Sequence, residues 1–289
     1  MLIAPALLSF AIVGASLAAS PIRVAVLENP QCKPDHGRTI RVLFEDEGST
    51  WRVLDSATAA MSAASRDDAW TIAFDGSSLG VVTSLPPTST PDPPWTYPRD
   101  ALNTAIPERP LPEIASPPGF FAGWCGEPEF RPLVLVSEPN VADPDYWKPF
   151  ALSESILERV FPEFLAQLTE AEGCQSDDAV AGEPVVYGRA DMRPRRSYRD
   201  RHGRILAAVQ LDELRHGCDI ADAEWTMHWF LIQDTVQFLG KALTLVDAGD
   251  YDADGESEVI FWFSGYNRDG YTLFYDGLQR RVDFLWNYH

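Results

Sequence analysis

Asp250-Tyr-Asp252-Ala-Asp254-Gly255-Glu256-Ser-Glu258 runs directly into Val259-Ile-Phe261-Trp-Phe263, and this junction decides how the chain is read. Counted from Asp250, acids stand at positions 1, 3, 5 and 9, with a glycine at position 6. A hard cation such as Ca²⁺ takes about 6–8 oxygen ligands, and a short acidic loop can wrap one. Alternate residues turn their carboxylates inward, Gly255 permits a sharp turn, and Glu256 offers its backbone carbonyl. The expected metal ligands are therefore Asp250, Asp252, Asp254, Glu256 and Glu258, with Ca²⁺ as the cofactor. An EF-hand is excluded: its loop needs a bidentate Glu at position 12, where this chain has Phe261.

The apolar run after the loop suits a strand buried on both faces. Leu243-Thr-Leu-Val246 enters the loop as another strand. Asn267-Arg-Asp-Gly270 reads as a turn into Tyr271-Thr-Leu-Phe-Tyr275, and Asp276-Gly277 is a two-residue hairpin signal. In the last strand Val282, Phe284, Trp286 and Tyr288 face one way, while Arg281, Asp283 and Asn287 face the other. Residues 242–288 thus form a four-stranded antiparallel meander, close to the roughly 40–50 residues of one propeller blade.

On Asp250, Asp252, Asp254, Gly255 and Glu258, followed at once by an apolar strand, this segment resembles the FG-GAP or VCBS-type repeat. That repeat occurs in integrin-alpha-like propellers and in many exported bacterial proteins. The resemblance implies a loop that joins two strands of a blade and holds Ca²⁺. Position 9 is usually Asp in that family and is Glu258 here. The chain contains no second acidic loop, so the resemblance covers only about residues 242–288. The chain as a whole is similar to exported bacterial proteins that end in such a segment.

Upstream, the signals are again mostly β. Thr39-Ile-Arg-Val-Leu-Phe44 and Thr50-Trp-Arg-Val-Leu54 flank Glu47-Gly48. Trp70-Thr-Ile-Ala-Phe74 and Leu79-Gly-Val-Val-Thr-Ser84 flank Asp75-Gly76. Residues 86–118 are dense in proline, which cannot donate to a ladder; an excursion packed on the same domain is favoured over a linker. Arg131-Pro-Leu-Val-Leu-Val-Ser137 reads as a strand. One helix is expected, with Ser155 and Glu158 as a capping box. Its apolar stripe is Ile156, Leu157, Val160, Phe161, Phe164, Leu165 and Leu168, and Pro162 should kink or split it. Pro184-Val-Val-Tyr187, Arg204-Ile-Leu-Ala-Ala-Val-Gln-Leu211, Trp225-Thr-Met-His-Trp-Phe-Leu-Ile232 and Val236-Gln-Phe-Leu239 read as strands, with Asp200-Arg-His-Gly203 as a turn. The expected fold is mainly β, of propeller-like antiparallel meanders with one helical insertion, and residues 20–289 form a single β-rich domain.

Residues 1–19 are apolar, uncharged and end in small residues, which reads as a secretory signal peptide cleaved after Ala18 or Ala19. The expected location is periplasmic or secreted, with no membrane span after cleavage. The net charge is −20, which makes nucleic acid an unsuitable partner. Cys32, Cys125, Cys174 and Cys218 contain no CxxC pair. In an oxidising compartment an even count suggests disulfides. Cys174–Cys218, and then Cys32–Cys125 by exclusion, is the favoured pairing, with buried free thiols as the alternative.

Between residues 189 and 204 stand Arg189, Arg193, Arg195, Arg196, Arg199, Arg201 and Arg204, a local reversal of sign. Guanidinium forks suit carboxylates and other anions, so Arg193, Arg195, Arg196 and Arg199 are candidate anion-binding residues. The plainer reading is a solvated loop whose arginines pair with the protein's own acids. His228 lies in an apolar strand and reads as core, and His216 near Asp212, Glu213 and Cys218 forms no recognised catalytic motif. The terminal aromatics Trp262, Tyr271, Tyr275 and Trp286 read as core, with Tyr266 and Asn267 in a turn. The leading function is an exported, calcium-stabilised binding or structural module for a protein, glycan or small-molecule ligand. The alternative is a hydrolase acting on a glycan or other anionic polymer.

Overall fold

The computed structural model describes residues 21–28, 39–54, 68–85, 102–104, 132–168, 186–212, 227–265 and 267–287. Alternating apolar patterns and short continuous apolar runs yield three antiparallel sheets, and one stripe at helical spacing yields an α-helix, among these residues. The first sheet contains β1 (Arg23–Glu28), β2 (Thr39–Asp46), β3 (Trp51–Val53), β4 (Ala69–Phe74), β5 (Ser77–Leu85), β6 (Leu102–Thr104) and β7 (Leu133–Val136). Its order is β1-β7-β4-β5-β6-β2-β3, and β1 also pairs β2. The second contains β8 (Lys148–Pro149), β9 (Met192–Arg199), β10 (Ile205–Leu211), β11 (His228–Ile232) and β12 (Val236–Lys241), ordered β12-β11-β10-β9-β8. The third is the expected meander: β13 (Leu243–Gly249), β14 (Glu258–Gly265), β15 (Arg268–Tyr275) and β16 (Arg280–Asn287).

The third sheet is the middle layer. Ile260 and Trp262 of β14, with Tyr271, Leu273, Phe284 and Trp286, pack against Val24, Val26, Leu43, Phe44, Val134 and Val136 of the first sheet. Val259 and Phe261, with Leu243, Leu245 and Phe274, pack against Leu206, Trp229, Leu231 and Leu239 of the second. Successive side chains of a strand point to opposite faces, so a strand covered on both faces must be apolar throughout. That is why residues 259–262 carry no polar side chain, and all of them are buried. Trp229 closes the second interface by donating its indole N–H to the Leu243 carbonyl at 2.7 Å. The far face of the second sheet is covered by α1 (Glu154–Leu165) through Leu157, Val160 and Phe164. A separate cluster built on Trp70, Ile72, Ile40 and Leu135 fills the other face of the first sheet.

The Asp75-Gly76 hairpin forms as expected, both residues having positive φ of 49° and 71°, as a type I′ turn requires. A Cβ at Gly76 would also lie 2.9 Å from Cβ of Asp143, so this turn is packed onto the segment after β7. The stretch 86–118 contributes β6, which pairs β5 and β2; the rest of it lies outside the described residues. His228 is core, its ring edge-on to Phe164 at 5.2 Å.

Several local expectations are corrected. The helix begins at Glu154 with Ser153 as N-cap and no side-chain cap bond, so Ser155 and Glu158 are not a capping box. Pro162 neither splits nor ends the helix. The carbonyl it leaves unpaired is that of Glu158, an exposed residue that water can reach. Val186 and Tyr187 are not in a strand. The arginine-rich stretch is largely the strand β9, not a loop, because β10 offers it a full ladder. Arg268, Asp269 and Gly270 belong to β15 and not to a turn, because each pairs with β14. The turn after Tyr275 spans residues 276–279 rather than two residues. No propeller arrangement of the sheets is seen among the described residues.

Candidate metal centre

The acidic loop is the connection between β13 and β14. A bulge between Leu245 and Asp247 shifts the end of β13, and Asp250 begins the loop with its N–H donated to the Ala142 carbonyl at 2.7 Å. From there the chain is wound by its own carboxylates. Asp254 N–H donates to Asp252 Oδ1 at 3.2 Å, Glu256 N–H to Asp254 Oδ1 at 2.8 Å and Gly255 N–H to Asp250 Oδ2 at 3.2 Å. Gly255 has φ +94°, a conformation that costs a residue with Cβ. The winding gathers one carboxylate oxygen each from Asp250, Asp252 and Asp254 to within 4.8 Å of one another. Asp250 is 7 % exposed, and its Oδ1 is buried with no hydrogen-bond partner. A buried unpaired carboxylate oxygen costs roughly 1–3 kcal/mol or more, so this atom wants a cation or a proton.

The electrostatics agree. Burial first, and then the charge of Asp254, push the Asp252 carboxyl up to about 6. Asp250 is also raised, chiefly by burial. Glu258 is pushed up to about 9 by burial and, next, by Asp252. Its carboxylate lies outside the three-oxygen group and accepts the Tyr251 N–H at 2.7 Å. Tyr251 is buried and donates its hydroxyl to Asp247 Oδ2 at 3.1 Å. Glu256 is exposed. Of the five expected ligands, the structure brings three carboxylates together and places Glu258 behind them as a buried support.

The sequence reading missed the segment that holds the loop. Residues 140–147, which follow β7, grip both of its ends. At the first end, Asn140 Nδ2 donates to Asp250 Oδ2 at 3.5 Å, beside the Ala142 contact. At the other, Ser257 N–H donates to Asp145 Oδ2 at 3.2 Å, and Ser257 Oγ–H donates to Asp143 Oδ1 at 2.6 Å. Arg204, just past the 200–203 turn, ion-pairs with Asp145 at 2.6 Å and with Asp200. Burial opposes the Arg204 charge, but its hydrogen bond to Asp200 and the charge of Asp145 outweigh that and raise its pKa. The only sequence trace of this clasp is the pair of acids in Asp143-Pro-Asp145.

The candidate anion residues do not converge. Arg193 ion-pairs with buried Asp212 at 2.6 Å, Arg195 donates to Gln210, and Arg199 lies over the Phe150 ring at 3.5 Å. Arg196 sits beside Ala208 in the β9–β10 ladder. Comparison of the chain with protein-family models, characterised proteins and solved structures gave no match. The site must therefore be read from its own geometry. Its donors are all oxygens, the set a hard cation takes. Cys32, Cys125, Cys174, Cys218, His36, His216, Tyr266, Tyr288 and residues 1–20 lie outside the described residues. No helix among the described residues is long and apolar enough to cross a membrane.

Proposed function

We propose that this chain is an exported binding or structural module, periplasmic or secreted, in which one Ca²⁺ at Asp250, Asp252 and Asp254 stabilises the terminal meander. The observation that carries the reading is the buried, unpartnered Oδ1 of Asp250 beside two further carboxylates. A cation there removes the mutual repulsion of the three acids and satisfies the orphan oxygen. The backbone carbonyl of Glu256 and water complete a shell of hard donors. Glu258 keeps Tyr251 in place, and so sets the path of the loop. The four-stranded meander supports the blade, or propeller-like, part of this reading for the third sheet.

Metal that binds only the folded state stabilises it by mass action, by about 2.7 kcal/mol at ~100-fold excess over Kd. Adding Ca²⁺ to chelator-stripped protein is therefore expected to raise Tm by several degrees, and Asp252→Ala with Asp254→Ala to abolish that rise. A melting curve of the parent that ignores Ca²⁺ would overturn the assignment.

A further inference from the structure

At the outer edge of the second sheet, β8 pairs β9 with Lys148 directly opposite Arg199. Side chains of directly opposed residues share a face, with Cβ atoms about 5 Å apart, and like charges placed so are destabilising. The first sheet handles charge in the opposite way: Glu45 stands across from Arg23 on one side and from Arg52 on the other. The Lys148–Arg199 pair has no such relief. Lys148 Nζ lies 3.6 Å from the Tyr146 ring centroid and Arg199 lies 3.5 Å from that of Phe150, and neither makes an ion pair among the described residues. Arg201 is close by in the backbone, since its N–H donates to the Asp145 carbonyl, and its guanidinium donates to His202. Two exposed cations without an ion pair among the described residues therefore face each other on a chain of net charge −20, and Arg201 follows two residues after one of them.

The backbone here is held in a costly shape. Tyr146 has φ +62° and is 56 % exposed. A bulky residue in the left-handed region is an outlier, and such strain concentrates at functional sites. Asp143 maintains it by accepting the N–H groups of Tyr146 at 2.9 Å and Trp147 at 2.7 Å. The effect is to stand the Tyr146 ring beneath Lys148 at the sheet edge. A guanidinium and an ammonium fixed over rings on one face form a ready receptor for an oxyanion, which would bridge them and cancel their repulsion.

We propose that Lys148 and Arg199, positioned by Tyr146 and Phe150 and aided by Arg201, bind an oxyanion group, whether the carboxylate of an acidic sugar, a sulfate or a phosphate. The site uses none of the three clustered aspartates, although Asp143, which fixes Tyr146, also accepts the Ser257 hydroxyl of the acidic loop.

The test uses the full mature chain, parent and Lys148→Gln/Arg199→Gln, in low-salt buffer. Isothermal titration is run with a tri-uronate, with a sulfated disaccharide and with inorganic phosphate. The parent is expected to bind at least one of the three saturably, more weakly as salt rises, and the variant at least tenfold more weakly. The arm that binds tightest identifies the carrier of the oxyanion. Lys148→Gln alone is expected to raise Tm without ligand, because it removes the opposed charge, and to lose the further rise that the bound anion gives the parent. No saturable binding in any arm, equal binding by the variant, or a lowered Tm for Lys148→Gln would overturn the proposal. So would a dimer of the parent that the double variant dissolves, since the occupant would then be a second copy of the chain.

Discussion

The acidic loop 250–258 and the arginine-bearing stretch 189–204 are opposite runs of charge that the fold treats differently. In the loop, left-handed residues at Ala253 and Gly255 curl the chain so that alternate carboxylates converge. Convergence leaves one buried oxygen unpartnered, and burial first, then the neighbouring carboxylates, raises the proton affinity of Asp252 and Glu258. In the arginine stretch, extended backbone and a bulge at Ala208/Val209 spread the guanidiniums apart. Arg189 goes to Glu154, Arg193 to Asp212, Arg195 to Gln210 and Arg204 to Asp145 and Asp200. A run of charge becomes a site only where the backbone brings its members to one point without neutralising them.

Arg204 belongs to both regions, and its removal breaks the contrast most severely. Arg204→Met leaves Asp145 and Asp200, which are 3 % and 5 % exposed, without their cation. Breaking a buried pair costs about 3–5 kcal/mol, to be read as a lowered urea midpoint at unchanged slope. A loss below about 1 kcal/mol would show that the clasp does not depend on this charge.

The loop's proton affinity gives a smaller, pH-dependent effect. Glu258 rises from its ordinary 4.5 to about 9 on folding, so the folded chain holds this proton more tightly than the unfolded one. The stability it contributes is full below about pH 4.5 and is lost as pH rises through about 9. In chelator, Tm of the parent is expected to fall over that window more steeply than Tm of Glu258→Gln. Parallel slopes would remove Glu258 from the account. The smallest effect is expected in the arginine stretch: Arg193 is half-exposed although its partner Asp212 is buried, so in Arg193→Gln the amide and water still reach the carboxylate and the loss is about 1 kcal/mol. The variant should leave the Ca²⁺-induced rise in Tm intact.

The terminal meander was legible because its signals are local. Asp75-Gly76, Glu47-Gly48 and the alternation of β16 are likewise properties of a few adjacent residues, and they formed where expected. The acidic triad was legible for the same reason. The clasp was not, because Asn140, Asp143, Asp145 and Arg204 lie about 50–110 residues from the loop, and no short-range pattern links them. The strand β9 was hidden because its arginines and Pro194 suggest solvent. An edge strand with one neighbour for most of its length tolerates both, since its outer face and outer backbone groups can meet water.

The amino-acid sequence alone determined that the chain is mainly β, that its last strands form a meander, and that three aspartates at alternate positions can face one point. These follow from side-chain periodicity and turn chemistry, which act over a handful of residues. Only the tertiary structure decided that the meander is the middle of three layers, that the acidic loop is clasped by the segment after β7, and that Lys148 faces Arg199 across a sheet edge. Those depend on which distant strands pair and in what register, and burial of apolar faces, being non-directional, leaves that choice to the packing of the whole chain.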